Sequence, residues 1–416
     1  MRSFTPRLSL ALAFAAGLGT GLVLAVSPAA LATDIEATYK KLRVFSQVLA
    51  YVQDNYVDEI SEEELVYDAI NGMLKDLDPH TTFMRPAEYQ KLREDTAGEF
   101  GGLGIELFDD GAGIRVAGVH KDGAAERAGL RRWDLILSID GEKIEELTLE
   151  DVVKRLRGVP GTKVVLGVSR KGWDGTRDIP LIRRHVRVPS VVHEMLPDGV
   201  GYLNISSFQE RTDQELAQAL AELRREVKKT GARDLSGLVL DLRDNPGGLL
   251  EEGVKVADRF LAGGLIVSTA GRNPRNVEKQ MAHDRGTEAD YPLVVLVNGG
   301  TASASEIVAG ALQDHARAVV IGTRSYGKGS VQTLFGLDDG SGLKLTIARY
   351  FTPKGRSIQD TGIVPDLIVA AERKGEEGEE PEEATGALRL AQDVQLRGAY
   401  DVIARWPERR AAAGRP

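Results

Sequence analysis

Apolar residues recur along this chain at two spacings, and the changes from one to the other mark out its parts. Between Asp34 and Tyr56 they fall at Leu42, Phe45, Val48, Leu49 and Val52, the three-and-four spacing of an amphipathic helix. Ile60–Leu77 repeats it through Leu65, Ala69, Ile70, Met73 and Leu74, so two helices packed through apolar faces are expected. From Gly98 to Arg184 the period shortens to two. Strands are predicted over Gly101–Leu107, Ile114–Val119, Leu135–Ile139, Thr162–Val168 and Asp178–Ile182, with a turn at Asp140-Gly141. A short helix over Ala124–Ala128 and a second one capped by Thr148, with Leu149, Val152, Val153 and Leu156 inward, complete the segment.

Beyond it, strands and helices alternate. Val200–Ile205 is a strand, and Thr212 with Glu215 has the spacing of a capping box for a helix burying Leu216, Leu220, Leu223 and Val227. Leu238–Leu242 is a buried strand that turns through Arg243-Asp244-Asn245-Pro246-Gly247-Gly248 into a helix at Leu249. The unit recurs at Leu293–Val297 with a helix over Ala302–Leu312, and more loosely after Ala318. Leu343–Ile347 alternates as a half-buried strand. The alternation predicts an α/β core. Glu372–Glu383 is an acidic, solvated linker, and Leu388–Trp406 is helical and expected to pack on a neighbour or an equivalent subunit.

Composition narrows the functional classes. A length of 416 residues leaves room for two or three domains, and 42% hydrophobic content is ordinary for a soluble protein. A net charge of −9 offers no footing for nucleic acid. The absence of cysteine excludes disulfides, thiol catalysis and Cys-ligated zinc. No residue cluster points to another metal, and no cofactor is expected. Arg2 and Arg7 precede an apolar run, Leu8–Val26, and Ala30-Leu31-Ala32 offers a cleavage site, so residues 1–32 read as an export signal. Loss of its two arginines takes the charge from −9 to −11. The alternative, an uncleaved anchor, also places the domains outside the cytoplasm, periplasmic or on the outer face of the membrane.

The stretch with most chemical content is Asn298–Gln332. Its small hydroxyl residues Thr301, Ser303 and Ser305 stand at a helix N-terminus, where unpaired N–H groups and the dipole favour a developing negative charge. Lys328 follows between Gly327 and Gly329, and Gln332 is four residues further on, an offset that shares a face in either a helix or a strand. The plainer reading is that the hydroxyls cap the helix and Lys328 is a solvated loop charge. The glycine pair Gly247-Gly248 could aim an N–H at a reacting carbonyl, or simply turn the chain.

NGGTASASEIVAGALQD followed by YGKGSVQ resembles the active-site segment of the carboxy-terminal processing peptidases, PDZ-containing serine peptidases with a Ser–Lys dyad. LDPHTTF, GGLGIEL, DLRDNPGG and ARYFTPKGRSIQDTGIVPD extend the likeness over about Tyr39 to Asp366. The resemblance implies a crotonase/Clp-like layered α/β core (α+β overall) with an inserted PDZ domain and an N-terminal helical segment. The resulting division is leader 1–32, helical region 33–97, PDZ domain 98–185, peptidase core 186–370, and linker with C-terminal helix 371–416. It makes Ser303 the nucleophile, Lys328 the general base and Gln332 its orienter, with the oxyanion held by the N–H groups of Ala304 and of Gly247 or Gly248. Leu103, Gly104, Ile105 and Glu106 would receive the C-terminal carboxylate of a peptide that adds as an edge strand. Homo-oligomers and, in some bacteria, an activating adaptor protein are further implications. Thr301 stands where the family has serine, a change that leaves the dyad unaffected.

A lysine base must be uncharged to work. With a reference pKa near 10.4, about one lysine in 2,500 is neutral at pH 7, a cost of about 4.6 kcal/mol. The site is therefore expected to strip water from Lys328, with the flanking glycines letting other atoms crowd against it. Other readings are weaker. Asp314-His315 lies twelve residues from Ser303, about 18 Å along one helix, too far for a triad. His80, beside a proline, reads as structural. A non-catalytic tail-binding scaffold and a crotonase-type acyl-CoA enzyme are the alternatives from other functional classes.

Overall fold

The computed structural model describes residues 28–121, 123–273, 275, 277–371 and 386–406. The expected leader therefore lies outside the described residues up to residue 27, and the acidic linker wholly so. The chain divides into two compact units, residues 1–72 and 73–416.

Helices Pro28–Asn55 and Glu62–Leu74, the second reaching two residues past the end of the first unit, occupy the two stretches of helical periodicity. The apolar stripe of the first helix is not a core, whereas the second buries Tyr67 and Leu74. Leu42 and Val48 are each 54% exposed, because periodicity fixes which side chains share a face but not what covers it. Among the described residues no helix is long and apolar enough to cross a membrane.

In the second unit, residues 99–187 form a small domain around Leu103, Val116, Ile136, Val152 and Leu166. Its antiparallel sheet runs in the order Ile105–Asp109, Ile114–Val119, Leu135–Ile139, Lys163–Ser169, Arg177–Ile182. Thr148 caps the helix Leu149–Leu156, its hydroxyl accepting the Asp151 N–H at 3.2 Å. Strands Glu99–Gly102 and Arg184–Arg187 pair with each other, so the chain enters and leaves this domain through one ribbon.

The larger core is built on a six-stranded sheet: Val191–Met195, Val200–Ile205, Gly237–Asp241, Leu293–Val297, Val319–Gly322 and Leu367–Ile368, in that order. All neighbours are parallel except the first pair. Parallel strands need cover on both faces, which explains why all five residues of Leu293–Val297 are apolar and buried. Helices Thr212–Lys229, Leu250–Phe260 and Ala304–Asp314 cover one face. On the other, Leu396, Ala399 and Ile403 of the helix Val394–Ala404 pack on Tyr202, Val239 and Leu296. The C-terminal helix thus covers its own sheet, not an equivalent subunit. A second, antiparallel sheet carries Gly342–Phe351, with Ser330–Gly336, Thr82–Met84 and Gly264–Gly271 as its neighbours.

Two local expectations fail. The Thr212–Glu215 capping box does not form, because the Glu215 carboxylate accepts the Ser190 N–H at 2.7 Å and hydroxyl at 2.8 Å instead. The Thr212 hydroxyl bonds back to the Gln209 N–H at 2.9 Å. After Val319–Gly322 comes a loop and then a strand, not a helix, as the three glycines of residues 322–329 favour turns.

Candidate active site

Because Gly237–Asp241 and Leu293–Val297 are adjacent parallel strands, the turns at their C-terminal ends meet. The Asn298 carboxamide oxygen accepts the Asp244 N–H at 2.9 Å, and the Asn245 carbonyl accepts the Ala302 N–H at 2.9 Å. Asn245 is fully buried, and its side chain also ties Gly247 and Ile205. The hydroxyls of Thr301 and Ser305 are spent on this interlock. They donate to the carbonyls of Leu242 at 2.8 Å and Asn245 at 3.1 Å, and both residues are fully buried. Ser303, between them, is half-buried.

Ser303 opens the helix Ala304–Asp314 with φ 56° and ψ −118°. A non-glycine residue held in such a region costs about 1–3 kcal/mol and persists only where its surroundings fix it. Glu306 does the fixing. Its Oε2 accepts the N–H of Ser303 at 2.8 Å and the N–H of Lys328 at 2.9 Å, while Oε1 accepts Gly327 N–H at 2.7 Å and Ser325 Oγ–H at 2.6 Å. Burial pushes this carboxyl above the usual carboxylate range. Four donors on its two oxygens nevertheless leave no lone pair for a proton, which favours the ionised form. One buried carboxylate thus clamps the backbones of the serine and the lysine together.

Lys328 is half-buried, and burial lowers its pKa below the ordinary lysine value, with Lys344 pushing the same way and Glu306 opposing. His80 lies in the same field; its own burial first, and then Lys328, lower its pKa. The flanking glycines admit the crowding that was expected. A Cβ on Gly329 would stand 2.4 Å from the Gln359 nitrogen, and one on Gly327 3.1 Å from that of Gly362.

The three residues expected to act together are not hydrogen-bonded to one another. The Lys328 amine bonds neither Ser303 nor Gln332. Gln332 donates to Ser330 Oγ at 2.7 Å and to Thr346 Oγ1 at 3.3 Å. Lys328 precedes the strand that carries Gln332, and that strand bulges between Val331 and Gln332. The phenol of Tyr350 donates to the Lys328 carbonyl.

Gly247 abuts this turn: a Cβ there would lie 2.7 Å from Ser303 Cβ and 3.0 Å from Ala304 N. Its own N–H is donated to Asn245 Oδ1 at 2.9 Å, whereas Gly248 is exposed and its N–H is not so engaged. A cavity of about 420 Å³ reaches these glycines, walled by Phe100, Phe208, Val188 and Leu92, with Arg157 stacked 4.3 Å over the Phe100 ring. In the small domain, the carbonyls of Leu103 and Gly104 accept the Ala125 and His120 N–H groups, both at 2.9 Å. The strand Ile105–Asp109 that follows is an edge, paired among the described residues only with Ile114–Val119. His315 is far from this chemistry, with Nε2 2.7 Å from the Leu265 carbonyl.

Glu306, Lys344, Asn245 and Tyr350 were not singled out by sequence. Glu306 had a signal, the S-x-x-E spacing of a capping box at Ser303. Lys344 had none; only the pairing of Ser330–Gly336 with Gly342–Phe351 brings its strand alongside the segment that follows Lys328.

Comparison with known proteins gives the family of this chain. Peptidase family S41 matches residues 199–369, a PDZ domain residues 115–170, and the activating protease CtpB N-terminal domain residues 26–87. A carboxy-terminal-processing protease of Bartonella bacilliformis is 43% identical over 86% of this chain and 81% of its own length. A carboxyl-terminal-processing protease of Synechocystis is 35% identical over 94% of this chain and 92% of its own. Among solved structures, a photosystem II D1 C-terminal processing protease is 34% identical, with TM-score 0.45, over 79% of this chain and 92% of that one. The chain belongs to peptidase family S41, as a PDZ-containing serine peptidase related to the carboxy-terminal-processing proteases.

Proposed function

We propose that this protein is an exported endopeptidase that takes the C-terminal tails of proteins through its PDZ domain and cleaves them with Ser303 and Lys328. Ser303 Oγ attacks the scissile carbonyl carbon as its proton passes to the neutral Lys328 amine. That proton goes to the departing amine, leaving an acyl-enzyme ester. A water then attacks the ester with Lys328 again taking a proton, the acyl–Oγ bond breaks to release the acid, and Lys328 returns the proton to Ser303 Oγ. The oxyanion is held by the N–H of Ala304 and that of Gly248, since Gly247 has already given its own to Asn245. Gln332 orients the lysine once it leaves Ser330 and Thr346.

The observation that carries this reading is the Glu306 clamp, which ties the backbones of a strained serine and a poorly solvated lysine to one carboxylate. The tail's carboxylate would sit at Leu103, Gly104, Ile105 and Glu106, with its strand added to the free edge of Ile105–Asp109. The cavity lined by Phe100 and Arg157 also reaches Gly247 and Gly248. Movement of the domain about Ala97–Gly98 and Arg184–Pro189 would align the dyad. The uncovered apolar stripe of the first helix supports self-association, and an activating adaptor is a further partner. Export rests on the leader and the absence of cysteine. A tail-binding scaffold without catalysis and an acyl-CoA enzyme are set aside by membership of a serine peptidase family.

The test is turnover of an unstructured protein substrate by the wild type, Ser303→Ala and Lys328→Ala. Loss of about 10²-fold or more in both variants is expected; equal turnover by all three would remove the dyad.

A further inference from the structure

We infer that Thr346 is a positioning residue for Gln332: its hydroxyl, whose one proton is claimed by Asp78, holds the Gln332 amide off the Lys328 amine until the site is assembled. The inference rests on the reading of Gln332 as orienter of the base. It gives a role to the LDPHTTF segment, which the proposed chemistry leaves unused.

The strand Gly342–Phe351 pairs with Thr82–Met84 and with Ser330–Gly336, and in the second pairing Thr346 stands opposite Gln332. Asp78, just before Thr82–Met84 in the chain, gathers four hydrogen bonds. Its Oδ1 accepts the N–H groups of His80 at 2.8 Å and Thr81 at 3.0 Å and the Thr346 hydroxyl at 3.2 Å. Its Oδ2 accepts the Thr81 hydroxyl at 2.6 Å. Burial opposes the charge, but these bonds outweigh it and hold the carboxyl below the usual carboxylate range, so Asp78 can only accept. The single proton of Thr346 is thereby committed to Asp78. Toward Gln332 the hydroxyl can then only accept, and it takes an Nε2–H of the amide at 3.3 Å. The threonine is itself tied in place, because its backbone N–H donates to the hydroxyl of the buried Thr81 at 3.1 Å.

Ser330 Oγ accepts from the same amide nitrogen at 2.7 Å, so both amide protons of Gln332 are spent. The end that a lysine amine needs is the carbonyl. The amide cannot exchange its ends in place, since its oxygen would then face the lone pairs of the Thr346 hydroxyl. Gln332 meets Lys328 by giving up these bonds, and Asp78, acting through Thr346, sets how firmly one of them is held.

The experiment measures the rate at which a fluorophosphonate labels full-length protein without peptide. The chains compared are wild type, Thr346→Val, Thr346→Ser, Gln332→Ala and the double variant Thr346→Val with Gln332→Ala. Valine keeps the branched shape of threonine and removes the acceptor. One neutral hydrogen bond lost from the held arrangement raises labelling of Thr346→Val by about two- to tenfold. Thr346→Ser, which restores the hydroxyl, returns the rate to the wild-type value. In the Gln332→Ala background the gain disappears, which a general loosening of the strand would not produce. Labelling that is unchanged or slower in Thr346→Val, with Gln332→Ala slower than wild type, overturns the inference, and so does a gain that survives without Gln332. If Gln332→Ala labels like wild type, it is the orienter reading that fails, and the hold with it. Should Thr346→Val not fold, a crystal structure of the peptide-free wild type decides: Gln332 Nε2 on Thr346 Oγ1 supports the inference, and Gln332 Oε1 on Lys328 Nζ overturns it.

Discussion

The carboxylate of Glu306 accepts the backbone N–H of Lys328 at 2.9 Å through the same oxygen that accepts the N–H of Ser303 at 2.8 Å. Lys328 follows Ser303 at an offset of twenty-five residues, and this oxygen sets the distance between their backbones. Glu306→Gln keeps the shape but replaces one acceptor oxygen by a donor that faces two donors. A loss of about 1–3 kcal/mol in denaturant stability is expected. Turnover should fall by about 10²-fold, mostly in kcat, because the clamp places the reacting groups without touching substrate. A variant with wild-type kcat would show that the clamp is only structural.

The pH dependence follows from the direction of the Lys328 shift. Burial lowers its pKa, so the neutral, working form is gained as pH rises through a midpoint below the usual lysine value. Activity therefore climbs with pH across that midpoint. Lys344 contributes to the lowering as a like charge. Lys344→Gln is expected to move the midpoint of kcat/KM upward and to reduce activity at neutral pH, with little change at high pH. A profile displaced downward would contradict the assignment of Lys328 as base.

Gly247→Ala should be severe. The residue has φ +100°, and the new methyl would lie 2.7 Å from Ser303 Cβ. Overpacking costs about 1–3 kcal/mol, and displacement of the serine costs about 10²-fold in turnover. Thermal melting and single-turnover kinetics on the same preparation separate the two effects.

Recognition of tails by their carboxylate predicts that a substrate with an amidated C-terminus is cut about tenfold or more slowly than the free acid, through KM. Equal rates would remove Leu103–Glu106 from recognition.

Much of this was legible from local pattern. The runs Ile114–Val119, Leu135–Ile139, Val200–Ile205 and Leu293–Val297 are strands with the bounds read from alternation or continuous burial. Thr148 capped its helix because the partner it needed, Asp151, is three residues away. The Thr212–Glu215 box had the same spacing and did not form, because Ser190, remote in sequence, offered Glu215 a hydroxyl and an N–H in a buried setting. Leu42 and Val48 had the periodicity of a core and lie exposed.

The sequence by itself determined the elements, their alternation, and the residue types able to supply a nucleophile, a base and oxyanion donors, since these depend on spacings of a few residues. Tertiary structure decided which groups meet. Parallel pairing of Gly237–Asp241 with Leu293–Val297 set Gly247 against Ser303, and folding back of Gly342–Phe351 brought Tyr350 to the backbone of the lysine. Such contacts depend on strand order and register, which no local spacing encodes.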